Sequence, residues 1–303
     1  MPEPQPISRA LLMPRHWPAW AGVLSLRAMA QLPWRWQLRL GPLLGRLLMG
    51  VARGRRRVAR RNLELCFPGL DGEARDALLR RHFEALGCGA FEFARAWFGA
   101  EAPWRQGLEI EGLEHLRALQ AEGRGVLLVS GHFTTLEACG RLLTNQIALA
   151  GMYREHDSPV LERAVLAGRL RYASRMFTRD ELRAAIRHLK SGGALWYAPD
   201  QDMLGKDTVF APFFGLPAAT ITATHQLARL SGAAVVPFFH RREGAHYRMR
   251  IGPPLADFPS ADVEADTARV NAAIETMVRE APEQYLWLHK RFKRRPPELP
   301  PLY

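Results

Sequence analysis

Val126-Leu-Leu-Val-Ser-Gly-His132-Phe-Thr-Thr-Leu-Glu137 is the stretch from which the fold of this 303-residue chain can be read. A short apolar run closed by turn residues reads as a strand buried on both faces. The strand ends at Ser130, Gly131 allows a sharp turn, His132 emerges at the strand tip and Thr134 begins a helix. Helix positions five apart point about 140° away from each other. His132 and Glu137 can therefore meet only with His132 in the turn and Glu137 in the first helical turn. The carboxylate then holds one imidazole nitrogen and leaves the other as a base for a hydroxyl nucleophile. Thr134-x-x-Glu137 is equally a capping box, in which Glu137 merely caps the helix. The spacing alone does not choose between these two readings.

Outward from this stretch the same texture repeats. Short apolar runs lie at Ile147–Tyr153, Ala194–Pro199 and Ala233–Phe239, with helical segments near 134–143, 158–173, 181–191 and 222–231. The alternation predicts an α/β fold whose mixed, largely parallel sheet is flanked by helices. A strand at His246–Ile251 is expected to pair antiparallel with the run before it, and a last amphipathic helix covers about 262–280. Upstream, residues 72–98 read as one long helix. Its stripe of Phe83, Leu86, Ala90, Phe93 and Trp97 has the three- and four-residue spacing of core packing.

Sites in such sheets lie beyond the carboxyl ends of the strands. Besides His132 and Glu137, that rule selects Arg154 after the next strand, and Arg169 and Arg171 on the helix that follows. It also selects the run Trp196-Tyr-Ala-Pro-Asp-Gln-Asp202. A guanidinium can clamp an oxyanion with paired hydrogen bonds. Asp200 and Asp202 can hold a divalent cation, make an Asx-type turn, or orient the Arg or His of a site. For the arginines the plain alternative is a solvated surface charge.

The formal charge of +12 favours an anionic partner: nucleic acid, acidic lipid or acidic protein. The three cysteines, Cys66, Cys88 and Cys139, show no CxxC or zinc spacing, so neither a disulfide framework nor a structural metal is expected. Met1–Pro14 does not read as a secretory signal. Trp17–Trp34 is apolar but carries Arg27 near its middle, where an Arg costs about 2.5–3.5 kcal/mol on the insertion scale. Trp17, Trp20, Trp34 and Trp36 flank it, Leu44, Leu47 and Leu48 share one helical side further on, and Arg53–Arg61 is strongly cationic. Together these read as a membrane-surface element on residues 1–65, with monotopic insertion placed ahead of a true span, before an α/β domain on residues 66–303. The alternative is a helix packed on the protein's own core. If residues 7–50 are only an anchor, deleting them should leave a more soluble protein that still folds.

Several segments, in order along essentially the whole chain, resemble the lipid A biosynthesis late acyltransferases of the lauroyl-transferase type. They are Pro14-Arg-His-Trp-Pro, Arg61-Asn-Leu-Glu-Leu-Cys-Phe-Pro68, Gly131-His-Phe-Thr-Thr-Leu-Glu137 and Tyr197-Ala-Pro-Asp-Gln-Asp202, then Phe210-Ala-Pro-Phe-Phe-Gly215 with Ala218-Ala-Thr220. The last is Ala281-Pro-Glu-Gln-Tyr-Leu-Trp-Leu-His-Lys-Arg-Phe-Lys293 with Arg295-Pro296. The resemblance implies a sheet like that of the glycerol-phosphate acyltransferases. It implies transfer of a fatty acyl chain from acyl carrier protein, with no cofactor or metal, to the 3-hydroxyl of an acyl chain on the Kdo-bearing tetraacyl precursor. His132 and Glu137 match the family's HxxxxD/E catalytic pair. Arg169 and Asp200 match positions tied to activity, and Arg154, Arg171, Gln201 and Asp202 are taken as substrate-binding. Many relatives carry Ser-Asn where this chain has Ala173-Ser174. The implied setting is the cytoplasmic face of the cell inner membrane, with its phospholipid surface as a partner and no nucleic acid. Two rival readings are a metal-dependent glycosyl or phosphoryl transferase using Asp200 and Asp202, and a non-catalytic basic binding protein. The second needs basic residues interleaved with exposed aromatics. Here the cationic residues gather instead near the N-terminal segment and at Lys290–Arg295.

Overall fold

The computed structural model describes residues 8–203 and 207–303. The first half of the Met1–Pro14 reading therefore lies outside the described residues. Three helices lead: α1 (Trp17–Gln31), α2 (Trp34–Val51) and α3 (Arg53–Cys66). The long α4 (Gly72–Phe98) follows, its first turn capped by Asp71, which accepts from the Ala74 N–H at 2.8 Å. A short α5 (Ala102–Arg105) precedes β1 (Leu108–Glu111), α6 (Leu113–Ala121) and β2 (Val126–Val129). Next come α7 (Leu136–Leu143), β3 (Leu149–Met152), α8 (Pro159–Arg169), β4 (Arg175–Phe177), α9 (Leu182–Lys190) and β5 (Ala194–Tyr197). The chain continues through β6 (Thr208–Phe213), β7 (Leu216–Ile221), α10 (Ala223–Ser231), β8 (Ala234–Glu243), β9 (His246–Ile251) and α11 (Val263–Glu280).

Seven strands form one sheet in the order β1-β9-β8-β2-β5-β3-β4. The pairs β8–β2, β2–β5, β5–β3 and β3–β4 are all parallel, as the β-α-β texture predicts. Only β8 and β9 run antiparallel, and β1 joins β9 in parallel. Every residue of the central β2 is buried, because helices cover both faces of the sheet. The separate β6–β7 ribbon closes through Phe214 and Gly215, both at positive φ (52° and 73°). The right-handed twist of a two-residue hairpin demands that geometry.

The N-terminal helices belong to the body rather than hanging from it. A Cβ on Gly45 would lie 2.0 Å from the Phe83 carbonyl oxygen, and one on Gly87 would lie 2.0 Å from the Gly41 carbonyl oxygen. The backbones of α2 and α4 therefore touch, as small-residue helix pairs do in membranes. Buried Gln37 donates to the Leu32 carbonyl at 2.8 Å and accepts from Arg95 Nε at 3.1 Å. The expectation that residues 7–50 can be deleted without harming the body does not survive this packing, since the deletion would bare the glycine face of α4. With small residues turned inward, the bulky ones point out: Leu43, Leu47, Leu48 and Val51 are exposed, the last by 74%. Among the described residues no helix is long and apolar enough to cross a membrane.

Candidate active site

Strand register builds the centre of the site. Val129 of β2 pairs with Tyr197 of β5, and three residues beyond each stand His132 and Asp200 (129 + 3 and 197 + 3). His132 Nδ1 lies 2.6 Å from Asp200 Oδ1, and the His132 backbone N–H donates to Asp200 Oδ2 at 2.8 Å. With Nδ1 donating to the carboxylate, Nε2 is left as the basic nitrogen. Burial disfavours the charged imidazole, but the charge and hydrogen bond of Asp200 outweigh it and raise the His132 pKa above its ordinary value. Burial would likewise raise Asp200. His132, its backbone N–H and the Tyr285 hydroxyl instead hold the carboxyl down at about 2.

Glu137 does not reach His132, contrary to the expectation that it orients the imidazole. Its Oε1 accepts from Arg169 Nε at 3.0 Å and also from Nη2. Its Oε2 accepts from Trp97 Nε1 at 2.9 Å and from the Tyr172 hydroxyl at 2.6 Å. Four donors saturate the carboxylate. The reason is where the helix starts: α7 begins at Leu136, so Glu137 sits in its first turn among Trp97 on α4 and Arg169 at the end of α8. The capping box does not form either. Thr135 takes the N-cap position without a side-chain cap, and the Thr134 hydroxyl is buried without a partner. Burial works against ionised Glu137, but Arg169, Tyr172 and Trp97 more than compensate and keep its pKa low. Arg169 is thus tied to Glu137, not to Asp200, and also lines the cavity.

The turn between β2 and α7 is held from two sides. His240 on β8 is fully buried; its Nδ1 lies 2.9 Å from the Thr135 hydroxyl and its Nε2 lies 3.2 Å from the Ser130 hydroxyl. Burial alone pulls its pKa down to about 3, so this imidazole is neutral. On the other side, the Leu286 N–H donates to the His132 carbonyl at 2.9 Å, and the Thr134 N–H donates to the Gln284 carbonyl at 2.8 Å. Asn62 of α3 fixes that strap by donating to the Trp287 and His289 carbonyls, both at 2.7 Å. Gly131 has an ordinary backbone; it is small because Ile274, Phe133 and Tyr285 crowd it, 3.0–3.2 Å from where a Cβ would lie.

A cavity of about 690 Å³ opens at His132. Part of the α4 stripe lines it: Leu86, Ala90 and Phe93 face the cavity, whereas Phe83 and Trp97 are buried core. Gly89, Gly140 and Gly151 also line it. His132, Glu137, Arg169 and Gln201 all lie on its wall. Arg154 reaches the rim, exposed and paired with Asp157 at 2.9 Å. Arg171 bonds instead to the Trp97 carbonyl, and Asp202 pairs with Arg294 at 2.9 Å. Neither Arg171 nor Asp202 lines the cavity. Asp200 and Asp202 serve different cations and do not converge as a metal pair would. Trp97, Tyr172, Tyr285 and His240 were not expected from the sequence. Trp97 had a helical-spacing signal, read as core packing in the α4 stripe, and Tyr172 stands three residues past Arg169; Tyr285 and His240 had none.

A strand-tip His–Asp pair beside a long apolar cavity suits acyl transfer, and the comparisons agree. The profile of the bacterial lipid A biosynthesis acyltransferase family matches residues 5–294. The chain belongs to this family. It is 41% identical to the lipid A biosynthesis lauroyltransferase of Escherichia coli over 98% of both chains. It is 38% identical to the palmitoleoyltransferase of the same organism over 95% of both. To a lipid A biosynthesis acyltransferase of Haemophilus influenzae it is 35% identical over 96% of this chain and 94% of the relative. The acyltransferase therefore resembles its relatives along nearly its whole length, and both rival readings of the sequence fall away.

Proposed function

We propose that this acyltransferase moves a fatty acyl chain, lauroyl or similar, from acyl carrier protein to the 3-hydroxyl of an acyl chain on the Kdo-bearing tetraacyl lipid A precursor. The observation that carries the reading is the His132–Asp200 pair at the mouth of the 690 Å³ apolar cavity. The donor chain occupies that cavity, whose size lies in the usual range for ligand sites. Nε2 of His132 takes the proton of the acceptor hydroxyl, whose oxygen attacks the thioester carbonyl. The tetrahedral oxyanion collapses, the C–S bond breaks, and the leaving thiolate takes the proton back from His132. Arg169, aimed by Glu137, supplies positive charge where the oxyanion develops. Gln201 and Arg154 meet the substrate at the rim. No cofactor or metal enters this scheme.

The exposed ridge Leu43, Leu47 and Val51 supports insertion of α2 into one leaflet of the inner membrane, with the Arg53–Arg61 run at the cytoplasmic headgroups. The net charge of +12 suits both that surface and an acidic carrier protein. The test is mass spectrometry of the precursor after incubation with purified protein and lauroyl-acyl carrier protein. A mass gain of one acyl chain is expected; an unchanged precursor would reject the reading.

A further inference from the structure

A second concavity, a groove of about 840 Å³, lies where α2 meets α3 and the C-terminal segment crosses them. Arg53, Arg55, Arg57, Arg61 and Lys290 line it, and no acidic side chain does. Arg55 donates to the Leu288 carbonyl at 3.2 Å, and Arg61 donates to the Leu302 carbonyl at 2.9 Å and pairs with Glu64. Arg53 and Arg57 have no hydrogen-bond or ion-pair partner among the described residues. Arg53, Arg57 and Arg61 also stand four apart on one helix, a spacing at which like charges repel. Of the arginines that line the groove, only Arg61 has an ion-pair partner among the described residues.

A small cavity lined by Asn62, His132, Asp200, His289 and Arg291 draws on the same two chain segments as the groove: Arg61 lines the groove and Asn62 the cavity, and Lys290 of the groove stands between His289 and Arg291 of the cavity. Asn62 lies nine positions after Arg53 on α3, about 13–14 Å at the helical rise. One sugar ring and the first carbons of an acyl chain cover a span of that order. At its other end the groove includes Val51, the last exposed residue of the α2 ridge. The cationic lining thus lies at headgroup depth if that ridge faces lipid.

We propose that this groove holds the phosphate-bearing sugar head of the acceptor lipid, with Arg53, Arg57 and Lys290 as its contacts, so that donor and acceptor approach His132 from opposite cavities. The proposal rests on the acceptor proposed above, a lipid A precursor, whose sugar head carries phosphates. A concave site with unpaired guanidinium groups fits a compact phosphate better than it fits the convex face of an acidic carrier protein.

The test uses the full chain in mixed micelles, with the acceptor supplied either with its sugar phosphates or with them removed. The double variant Arg53→Ala/Arg57→Ala should raise the acceptor KM about tenfold on the phosphorylated lipid, a magnitude set by the exposure of these side chains. It should lose the wild-type preference for that lipid, leaving a non-zero coupling between the arginines and the phosphates. Lys290→Ala should act in the same direction. Equal losses on both acceptors would overturn the proposal in favour of general attraction to the membrane surface. A rise in the carrier-protein KM instead would overturn it in favour of carrier docking. A wild-type enzyme that acylates neither lipid would overturn the underlying function as well, and is distinguishable on that ground.

Discussion

Asp200 grips His132 at two points, Nδ1 at 2.6 Å and the backbone N–H at 2.8 Å, so the carboxylate fixes the position and the tautomer of the imidazole together. A base must be neutral to accept a proton, so transfer should rise with pH through the elevated His132 pKa. Asp200→Asn removes the raising influence and leaves burial, which lowers the pKa. The rising limb of the kcat/KM profile should therefore move to lower pH while the plateau falls about 10²–10⁴-fold. A limb that stays in place, or moves up, would refute the pairing.

The same pair makes a prediction about stability. His132 has a raised folded pKa, so its contribution is complete below 6.5 and is lost as pH rises through the folded value. Asp200 is depressed from 3.8 to about 2, so its contribution is complete above 3.8 and is lost as pH falls toward 2. The melting-temperature gap between wild type and Asp200→Asn should be widest between these limits, near pH 4 to 6.5. A gap that is largest at pH 9 would contradict the assignment.

Glu137 and Arg169 act as a unit. Arg169→Lys keeps the charge but loses the planar fork that meets Glu137, and transfer should fall about 10–100-fold. Glu137→Gln should cost a similar amount while leaving the pH limb of His132 nearly in place, because Glu137 does not touch the imidazole. Kinetic profiles of the two variants separate this arrangement from one in which Glu137 orients His132.

His240 clamps the two ends of the catalytic turn. His240→Phe removes the imidazole between the Ser130 and Thr135 hydroxyls, leaves them the backbone carbonyls at positions 131 and 240, and should destabilise the fold by about 1–3 kcal/mol. His240→Gln, which keeps a donor and an acceptor, should recover part of both stability and kcat. Since the His240 pKa is depressed from 6.5 to about 3, its contribution is present above 6.5 and is lost as pH falls. Recovery no better than Phe would argue against the bridge.

The exposed ridge of α2 predicts how the protein leaves membranes. Electrostatic attachment fails in 1 M salt, where the screening length is about 3 Å, but burial of Leu43, Leu47 and Val51 does not. The full chain should sediment with anionic vesicles in 1 M salt and be released by detergent. Leu47→Asp combined with Val51→Asp should convert it to salt-releasable binding. Complete release of the wild-type chain by salt alone would remove the insertion argument.

The parallel sheet was legible because β2, β3, β5 and the start of β8 are short apolar runs, β2 and β3 each followed by a helix, and residues 72–98 kept helical spacing from end to end. Strand β1, Leu-Glu-Ile-Glu, sits on an edge with half its side chains polar, and β4 has only three residues, so neither carried a recognisable period. His132, Arg169 and Asp200 were legible as strand-tip and helix-end residues, but their partners were not. Which carboxylate meets His132 depends on the β2–β5 register, a pairing between segments 68 residues apart. The Glu137 contacts likewise come from α4 and α8, and the His240 clamp from β8, all distant in sequence.

The most direct measurement is acyl transfer by purified His132→Ala, assayed with the carrier thioester and the lipid acceptor beside a melting curve. Transfer lower by at least about 10³-fold with a near-native melting temperature is expected, because His132 is the imidazole that Asp200 holds at the cavity mouth, whereas His289 of the neighbouring small cavity already accepts from the Asp202 N–H through Nε2. Transfer at the wild-type rate would show that the proton of the acceptor hydroxyl leaves by another route.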